Sequence, residues 1–247
     1  MNTLAKTLLT GALSSVTAFA GAEGIRANVT LASDYTFRGV SQTDNQMALQ
    51  GGFDWAHASD VYVGAWASNV DSDFFGGAKD PQLETNLYAG YATALGAFTY
   101  DFGILVYFYP GADAPAADDL RTVEFYVSGG YALTKAFALN AKLYYADELN
   151  FAGNHGDGLY LIVGADYALL DNLSLSAAVG HSSGGAFETF GGPAGPDSYM
   201  DYRIGVSTTF AGANLALSWI DSNDDAEALF GDSVTDGRVV FTLSKSF

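Results

Sequence analysis

The last ten residues, Arg238 to Phe247, have the sequence Arg-Val-Val-Phe-Thr-Leu-Ser-Lys-Ser-Phe and decide how the rest of the chain is interpreted. Val239, Phe241, Leu243 and Phe247 occupy alternate positions, and Arg238, Thr242, Ser244 and Ser246 lie between them. Successive side chains of a β-strand point to opposite faces of the sheet. The stretch therefore predicts a strand with one apolar face and one polar face.

A strand of this kind ending on an aromatic residue resembles the closing strand of an outer-membrane β-barrel. The resemblance implies that Phe247 is part of what the barrel-assembly machinery recognises. Lys245 lies on the apolar face near the strand end, where a charge facing lipid costs about 0–1 kcal/mol, against ~2–4 kcal/mol at the midplane. The last strand of a soluble β-sandwich is the alternative interpretation.

The same alternation of apolar and polar residues recurs along the chain and predicts eleven further strands. Their approximate ranges are 25–38, 46–55, 61–67, 83–91, 98–108, 122–131, 137–145, 159–169, 173–180, 201–210 and 215–219. The third of these is ambiguous, because Tyr62 and Trp66 lie on the parity that should be polar. With the closing strand, the pattern predicts a barrel of about twelve strands.

The connections between these strands alternate in length. The short ones are 57–60, 94–97, 132–135, 170–172 and 211–213, and the long ones are 39–45, 71–81, 110–119, 148–157, 182–198 and 221–236. An even-stranded outer-membrane barrel has short turns on the periplasmic side and long loops outside. The fold class expected is therefore all-β: a transmembrane, antiparallel, up-and-down barrel.

Closure of the barrel follows from the cost of unpaired backbone groups. Each N–H or C=O without a partner in hydrocarbon costs several kcal/mol, so the first strand should pair with the last. The apolar parity should then face lipid and the polar parity the lumen. Aromatic residues at the short-turn ends should form an interfacial girdle: Tyr91, Phe98, Tyr131, Phe137, Tyr167, Phe210 and Phe247.

The N-terminal segment and the composition agree with export to the cell envelope. Residues 1–22 have the features of a signal peptide, with Lys6 at the start, a short apolar core, and small-x-small cleavage sites after Ala20 and Ala22. An amphipathic first helix of a cytoplasmic protein is the alternative. No apolar run approaches the ~18 residues of a transmembrane helix. There is no cysteine, and the net charge of −18 argues against nucleic acid as a partner.

One motif carries a family resemblance. The stretch Ser33-Asp34-Tyr35-Thr36-Phe37-Arg38-Gly39-Val40-Ser41-Gln42-Thr43 resembles the opening signature of the TorF-family putative porins. The similarity continues through 50–54, 62–66, 88–91, 100–103 and 109–111. It implies a pore in the outer membrane of a Gram-negative bacterium, with residues 23–247 as the barrel. It implies no particular solute.

Twelve charged residues lie on the parity expected to face the lumen: Arg26, Asp34, Arg38, Asp54, Glu84, Asp101, Glu124, Lys142, Asp166, Asp201, Arg203 and Arg238. Five bases and seven acids can line a water-filled channel or pair with one another to close the barrel. We expect passive diffusion of small polar solutes, with no cofactor and no bound metal. A closed structural barrel is the alternative.

The long loops are acidic, with Asp71, Asp73, Asp80, Asp113, Asp118, Asp119, Asp221, Asp224, Asp225, Glu227, Asp232 and Asp236. A negative vestibule concentrates cations, which predicts a modest preference for them. The same charge could instead bind divalent cations that bridge to lipopolysaccharide. Residues 221–225 resemble a calcium loop, but the ligand spacing of an EF-hand is incomplete. An exposed aromatic face could contact lipid or a neighbouring barrel in an oligomer.

An enzyme is the competing class of function. His181-Ser182-Ser183-Gly184 follows a strand, and a His two residues before a Ser resembles the arrangement of outer-membrane phospholipases and lipid A deacylases. There the His acts as base to the Ser, oriented by a third polar group. Gly184 stands where those enzymes commonly have Asn, and the third group is unassigned. His181 and Ser183 therefore remain a minor alternative to a chance pair at the rim.

Overall fold

The computed structural model describes residues 23–72, 81–112, 120–151 and 154–247. The predicted signal peptide, residues 1–22, lies outside the described residues. Twelve strands form the wall: β1 (Gly24–Ala32), β4 (Ala48–Ala56), β5 (Val61–Asn69), β6 (Leu83–Leu95), β7 (Phe98–Phe108), β8 (Thr122–Ala132), β9 (Phe137–Phe151), β10 (Asn154–Leu170), β11 (Leu173–Ser183), β12 (Ser198–Phe210), β13 (Ala213–Ser222) and β14 (Arg238–Ser246).

The wall closes on itself. Every strand pairs antiparallel with its neighbours in the chain, and β1 pairs with both β4 and β14. Beyond the last strand, the backbone N–H and C=O of Phe247 both bond to Ala27. A closed ring leaves no edge of unpaired backbone groups, which hydrocarbon would not tolerate. The prediction of a twelve-stranded barrel closed by the C-terminal strand is confirmed.

Alternate side chains face outward and inward, and the outward ones are apolar. Phe53, Ile204 and Val239 expose 67%, 62% and 56% of their surface. The aromatic residues expected at the short-turn ends all lie on this outer face, where Phe98 packs against Tyr131 with ring centroids 4.5 Å apart. Tyr62 points inward and is 1% exposed, which resolves the ambiguous parity of its strand.

The five short turns lie at one rim of the barrel, here called the short-turn rim, and the other connections lie at the opposite rim, called the long-loop rim. Short turns of two to four residues need conformations that few residues adopt readily. Ala211 (φ 52°) and Gly212 (φ 76°) supply them between β12 and β13, and Gly96 (φ 65°) does so between β6 and β7.

Two connections at the long-loop rim differ from the prediction. The segment 148–157, expected to be a loop, is mostly strand, because β9 and β10 remain paired as far as Phe151 and Asn154. The first wall strand, expected to run to Arg38, ends at Ala32. The chain then leaves the wall and forms a separate hairpin from β2 (Thr36–Phe37) and β3 (Val40–Ser41).

Three short helices complete the long-loop rim: α1 (Gly185–Gly191), α2 (Asp224–Phe230) and α3 (Asp232–Thr235). Within the described segments, no helix is long and apolar enough to cross a membrane. Phe187, Ala226 and Leu229 from these helices join Val40 of the hairpin and Tyr199 of β12 in one buried apolar cluster. The cluster covers part of the long-loop mouth and is called the outer cap.

Candidate functional site

The lumen is occupied at its long-loop end by residues 33–47, called the plug, which include the β2–β3 hairpin. Phe37 and Val40 pair across a two-residue turn in which Arg38 (φ 50°) and Gly39 (φ 84°) both have positive φ. Two positive φ values are the requirement of a type I′ turn, which matches the twist of a two-stranded hairpin. The turn projects the Arg38 side chain away from the wall that carries it.

The atoms packed around position 39 also require a glycine there. A Cβ at this position would lie 2.3 Å from Oγ of Ser222 and 2.7 Å from Cβ of Asp201. Those residues belong to β13 and β12. The tip of the plug therefore packs directly on this side of the wall with no room for a side chain at Gly39.

Arg38 reaches the far wall of the barrel. Its Nη2 lies 2.5 Å from Oε1 of Glu124 on β8, and its Cζ lies 4.4 Å and 5.2 Å from the ring centroids of Tyr160 and Tyr144. These two tyrosines are on β10 and β9, which stand opposite β4 and β1 in the ring of twelve. Burial disfavours the Arg38 charge, but the carboxylate of Glu124 outweighs it and raises the pKa. The arginine thus remains charged and fastens the plug across the lumen.

The base of the plug is bonded to the near wall. The Tyr35 hydroxyl donates to the carboxylate of Glu84 on β6 at 3.2 Å. Asp34 accepts hydrogen bonds from Ser41 (2.6 Å) and Thr43 (2.8 Å), and its other oxygen lies 3.4 Å from Nη1 of Arg238. A buried carboxylate is tolerated only when its oxygens are bonded in this way.

Below the plug the lumen has two unlike sides. Six tyrosines point inward from β5 to β10: Tyr62, Tyr88, Tyr107, Tyr126, Tyr144 and Tyr160. Small polar residues point inward from β11 to β14 and from β1: Ser174, Ser176, Ser207, Ser218, Thr242, Ser244, Asn28 and Thr30. All eight are half-buried, and they are called the polar strip. The space inside the barrel therefore lies beside the polar strip, because the tyrosines fill the other side.

The acids on the tyrosine side are held mostly by neutral donors. Tyr62 donates to Asp101 at 2.7 Å, Tyr107 to Glu124 at 2.7 Å, and Tyr88 to Asp54. The Nδ2 group of Asn140 donates to Asp166 at 2.8 Å. Lys142 lies 4.0 Å from Asp101 and 4.0 Å from the centroid of the Tyr126 ring. This side of the lumen is a packed hydrogen-bonded network rather than an open surface.

All twelve charged residues predicted to line the lumen face the interior. Ten of them lie on wall strands, and Asp34 and Arg38 lie on the plug. Arg38 with Glu124, Lys142 with Asp101, and Arg238 with Asp34 are brought together as ion pairs. Arg26 is registered opposite Asp54, and Asp201 accepts from the Tyr160 hydroxyl at 3.3 Å.

Two features of the site were not predicted. Tyr35 and Phe37 were assigned to the lipid face as the end of the first strand, but both lie inside the barrel; Phe37 packs edge-on against Tyr107. The filling of one side of the lumen by the six inward tyrosines was also not predicted. The Arg38-Gly39 pair between two β-branched or aromatic residues was the only local signal of a hairpin in this segment.

The rim histidine and the acidic stretch before α2 do not form the arrangements that the sequence suggested. His181 and Ser183 both lie on the outward parity of β11, and no hydrogen bond joins them among the described contacts. Residues 221–225 end β13 and begin α2 rather than forming a calcium loop. In the parts of the chain that the structure describes, no group of three or more His, Asp or Glu residues could hold a metal ion.

An apolar exterior, a polar interior and an inserted segment within twelve strands define a porin-like outer-membrane β-barrel. The chain belongs to the family described as bacterial protein of unknown function (Gcw_chp), whose model matches residues 17–247. No curated protein matches the sequence.

Solved outer-membrane channels share the fold. The NanC porin has a TM-score of 0.57 at 7% identity, and the match covers 90% of this chain and 98% of that one. The KdgM porin gives 0.56 at 10% identity over 90% and 98% of the two chains. An outer-membrane channel from Pseudomonas putida F1 gives 0.55 at 11% identity over 92% and 96%. At these identities the likeness establishes the fold alone.

Proposed function

We propose that the protein is an outer-membrane channel for passive diffusion of small polar solutes. The observation that carries this proposal is the polar strip, a run of half-buried hydroxyl and amide side chains along the inside of a barrel whose outside is apolar. A barrel that served only as a scaffold could fill its whole interior, as the tyrosine side does. The resemblance to the TorF-family putative porins supports the same assignment.

The plug makes the channel narrow or closed at its long-loop end. Asp34, Arg38, Ser41, Gln42 and Thr43 are all buried there. The plug contributes Val40 to the outer cap, and it is also tied to α3, since Nδ2 of Asn45 donates to the backbone carbonyl of Ser233 at 2.8 Å. Transport then requires the plug to shift, whereas a plug that never shifts gives the second candidate, a closed structural barrel.

Recordings across planar bilayers test the channel directly. The purified protein is compared with a variant in which residues 34–46 are replaced by a short Gly/Ser linker between β1 and β4. We expect small conductance steps from the first and larger steps from the second. If neither protein gave conductance steps, the channel proposal would be contradicted and the closed structural barrel would be the remaining candidate.

A preference for cations belongs to the same proposal. Five acids, Asp221, Asp224, Asp225, Glu227 and Asp232, follow one another closely in the chain from the end of β13 to the start of α3 at the long-loop rim. A negative mouth attracts cations and repels anions. The reversal potential in a potassium chloride gradient should show modest cation selectivity. Substituting these five acids with Asn or Gln should move the reversal potential towards zero. An unchanged reversal potential would show that these acids are not the source of the cation selectivity.

We also propose how the barrel is oriented in the outer membrane and which envelope components it contacts. The long loops would face the medium and contact lipopolysaccharide, through divalent cations where their carboxylates cluster. Phe247, outward and 72% exposed, would be presented to the barrel-assembly machinery during insertion. Deleting Phe247 should reduce the amount of folded protein in outer-membrane fractions, with Phe210→Ala as a control that removes an equally exposed rim aromatic.

A further inference from the structure

Arg203 lies in the lumen directly beneath the tip of the plug. It follows Asp201 by two residues on β12 and so occupies the next inward position. Asp201 is the residue whose Cβ closely approaches Gly39 at the plug tip. Arg203 is therefore the charged group that a solute on the polar strip meets where the strip reaches the plug.

The wall positions next to Arg203 mostly carry small residues. On β11 its register partner is Ala178, and the next inward position is Gly180. Gly205 is the next inward position on β12, and Ile220 is its partner on β13. Other side chains occupy the space over the two glycines, namely Asp201 and Tyr160 at Gly180 and two serines at Gly205. Arg203 itself is half-buried.

Arg203 has no carboxylate within ion-pair distance, unlike three other lumen cations, although the Asp201 carboxylate is near enough to act on its charge. Arg38, Lys142 and Arg238 each pair with a carboxylate. Among the described residues, Arg203 makes no ion pair and no side-chain hydrogen bond. Its nitrogens are not among the buried unpaired atoms, so they remain accessible to solvent. Its nearest acid, Asp201, bonds instead to the Tyr160 hydroxyl. The guanidinium of Arg203 thus has donors that are accessible from the lumen.

We infer that Arg203 binds the carboxylate of small solutes that enter the polar strip. The inference rests on the proposed channel function and adds a class of solute. A guanidinium presents parallel N–H groups that match the two oxygens of a carboxylate. The same fork fits a phosphate monoester, but a dianion would be repelled more strongly by a protein with a net charge of −18. Monocarboxylates, zwitterions included, suit the site best.

Chemical footprinting tests binding without requiring conduction. Phenylglyoxal, which labels accessible arginines, is applied to the purified full chain in detergent, and labelled positions are located by mass spectrometry. Arg203 should be labelled faster than Arg38 and Arg238. Propionate should protect it, and the neutral isostere propionamide should not. Slow labelling of Arg203, or equal protection by the two compounds, would overturn the inference.

Flux into liposomes tests the consequence. In Arg203→Gln the ratio of propionate to propionamide permeability should fall about fivefold, the size expected for one unit charge a few ångströms away in water. Arg203→Lys should retain much of the ratio, and Lys245→Gln, which removes the same charge from the outer face, should leave it unchanged. An unchanged ratio in Arg203→Gln would overturn the inference while leaving the channel intact. Protection of Arg203 in a protein without flux would support the binding site and contradict the channel.

Discussion

Nη2 of Arg38 lies 2.5 Å from Oε1 of Glu124, and the two side chains expose only 6% and 2% of their surface. The arginine belongs to the connection between β1 and β4, and the glutamate belongs to β8, so the pair spans the lumen. A buried pair contributes little by its mere formation, because removing both charges from water is costly. It nevertheless makes the position of the plug sensitive to the loss of either partner.

Arg38→Gln should therefore destabilise the plug strongly. Breaking a buried pair by removing one partner costs about 3–5 kcal/mol, because the other charge stays buried without compensation. Urea unfolding in lipid vesicles would measure the loss, and bilayer recordings should show larger or more frequent conductance steps. Arg238→Gln provides the comparison, because its pair with Asp34 is longer, at 3.4 Å, and more exposed.

The double variant Arg38→Gln/Glu124→Gln refines this prediction. It leaves no uncompensated charge, so its loss of stability should be smaller than the sum of the two single losses. A sum of independent effects would mean that the two groups do not interact in the folded barrel.

Gly39→Ala should displace the plug tip, and Gly212→Ala is its matched control. Both glycines have positive φ, so both variants pay a conformational cost of roughly 1–2 kcal/mol. Only at Gly39 does the new Cβ meet other atoms, namely Ser222 and Asp201; nothing lies within 4 Å at Gly212. We expect increased conductance from Gly39→Ala alone. Equal behaviour of the two variants would show that the plug tip does not limit the pore.

Phe102→Arg should weaken the barrel through its outer face. Phe102 lies near the middle of β7, points outward and is 55% exposed. A lipid-facing arginine near the midplane costs about 2–4 kcal/mol, whereas one close to an interface costs about 0–1 kcal/mol. Ile25→Arg, at the end of β1, is the corresponding rim variant. Similar unfolding free energies for the two variants would argue that Phe102 does not face hydrocarbon.

Alkaline pH should loosen the plug through Tyr35. Burial, and next the nearby carboxylate of Glu84, raise the pKa of Tyr35 well above its usual range. An unfolded tyrosine loses its proton near pH 10. The stability contributed by neutral Tyr35 is thus complete below about pH 10 and declines as pH rises further. Unfolding free energies between pH 8 and pH 11 should fall less steeply for Tyr35→Phe than for the wild type; parallel slopes would exclude Tyr35 as the titrating group.

The sequence alone determined the barrel. Strand number, the parity of every strand except β5, the position of the five short turns and the closing role of Val239, Phe241 and Leu243 all follow from period-two alternation. These features are local, because a strand in hydrocarbon must turn every second side chain to lipid whatever its neighbours are. The inward parity of the ten charged residues that lie on wall strands follows from the same rule.

Only the tertiary structure decided what the inside of the barrel holds. Tyr35 and Phe37 continue the alternation of β1, so nothing local distinguishes a wall strand from a segment that leaves the wall at Ala32. The plug is fixed by partners 49 to 204 residues away, such as Glu84, Glu124 and Arg238. Long-range bonds of this kind cannot be predicted from the period-two alternation of apolar and polar residues, because they depend on which strands stand opposite one another. For the same reason the sequence places Arg38 and Arg203 alike on the lumen parity, whereas in the structure Arg38 forms a buried ion pair and Arg203 has no carboxylate within ion-pair distance.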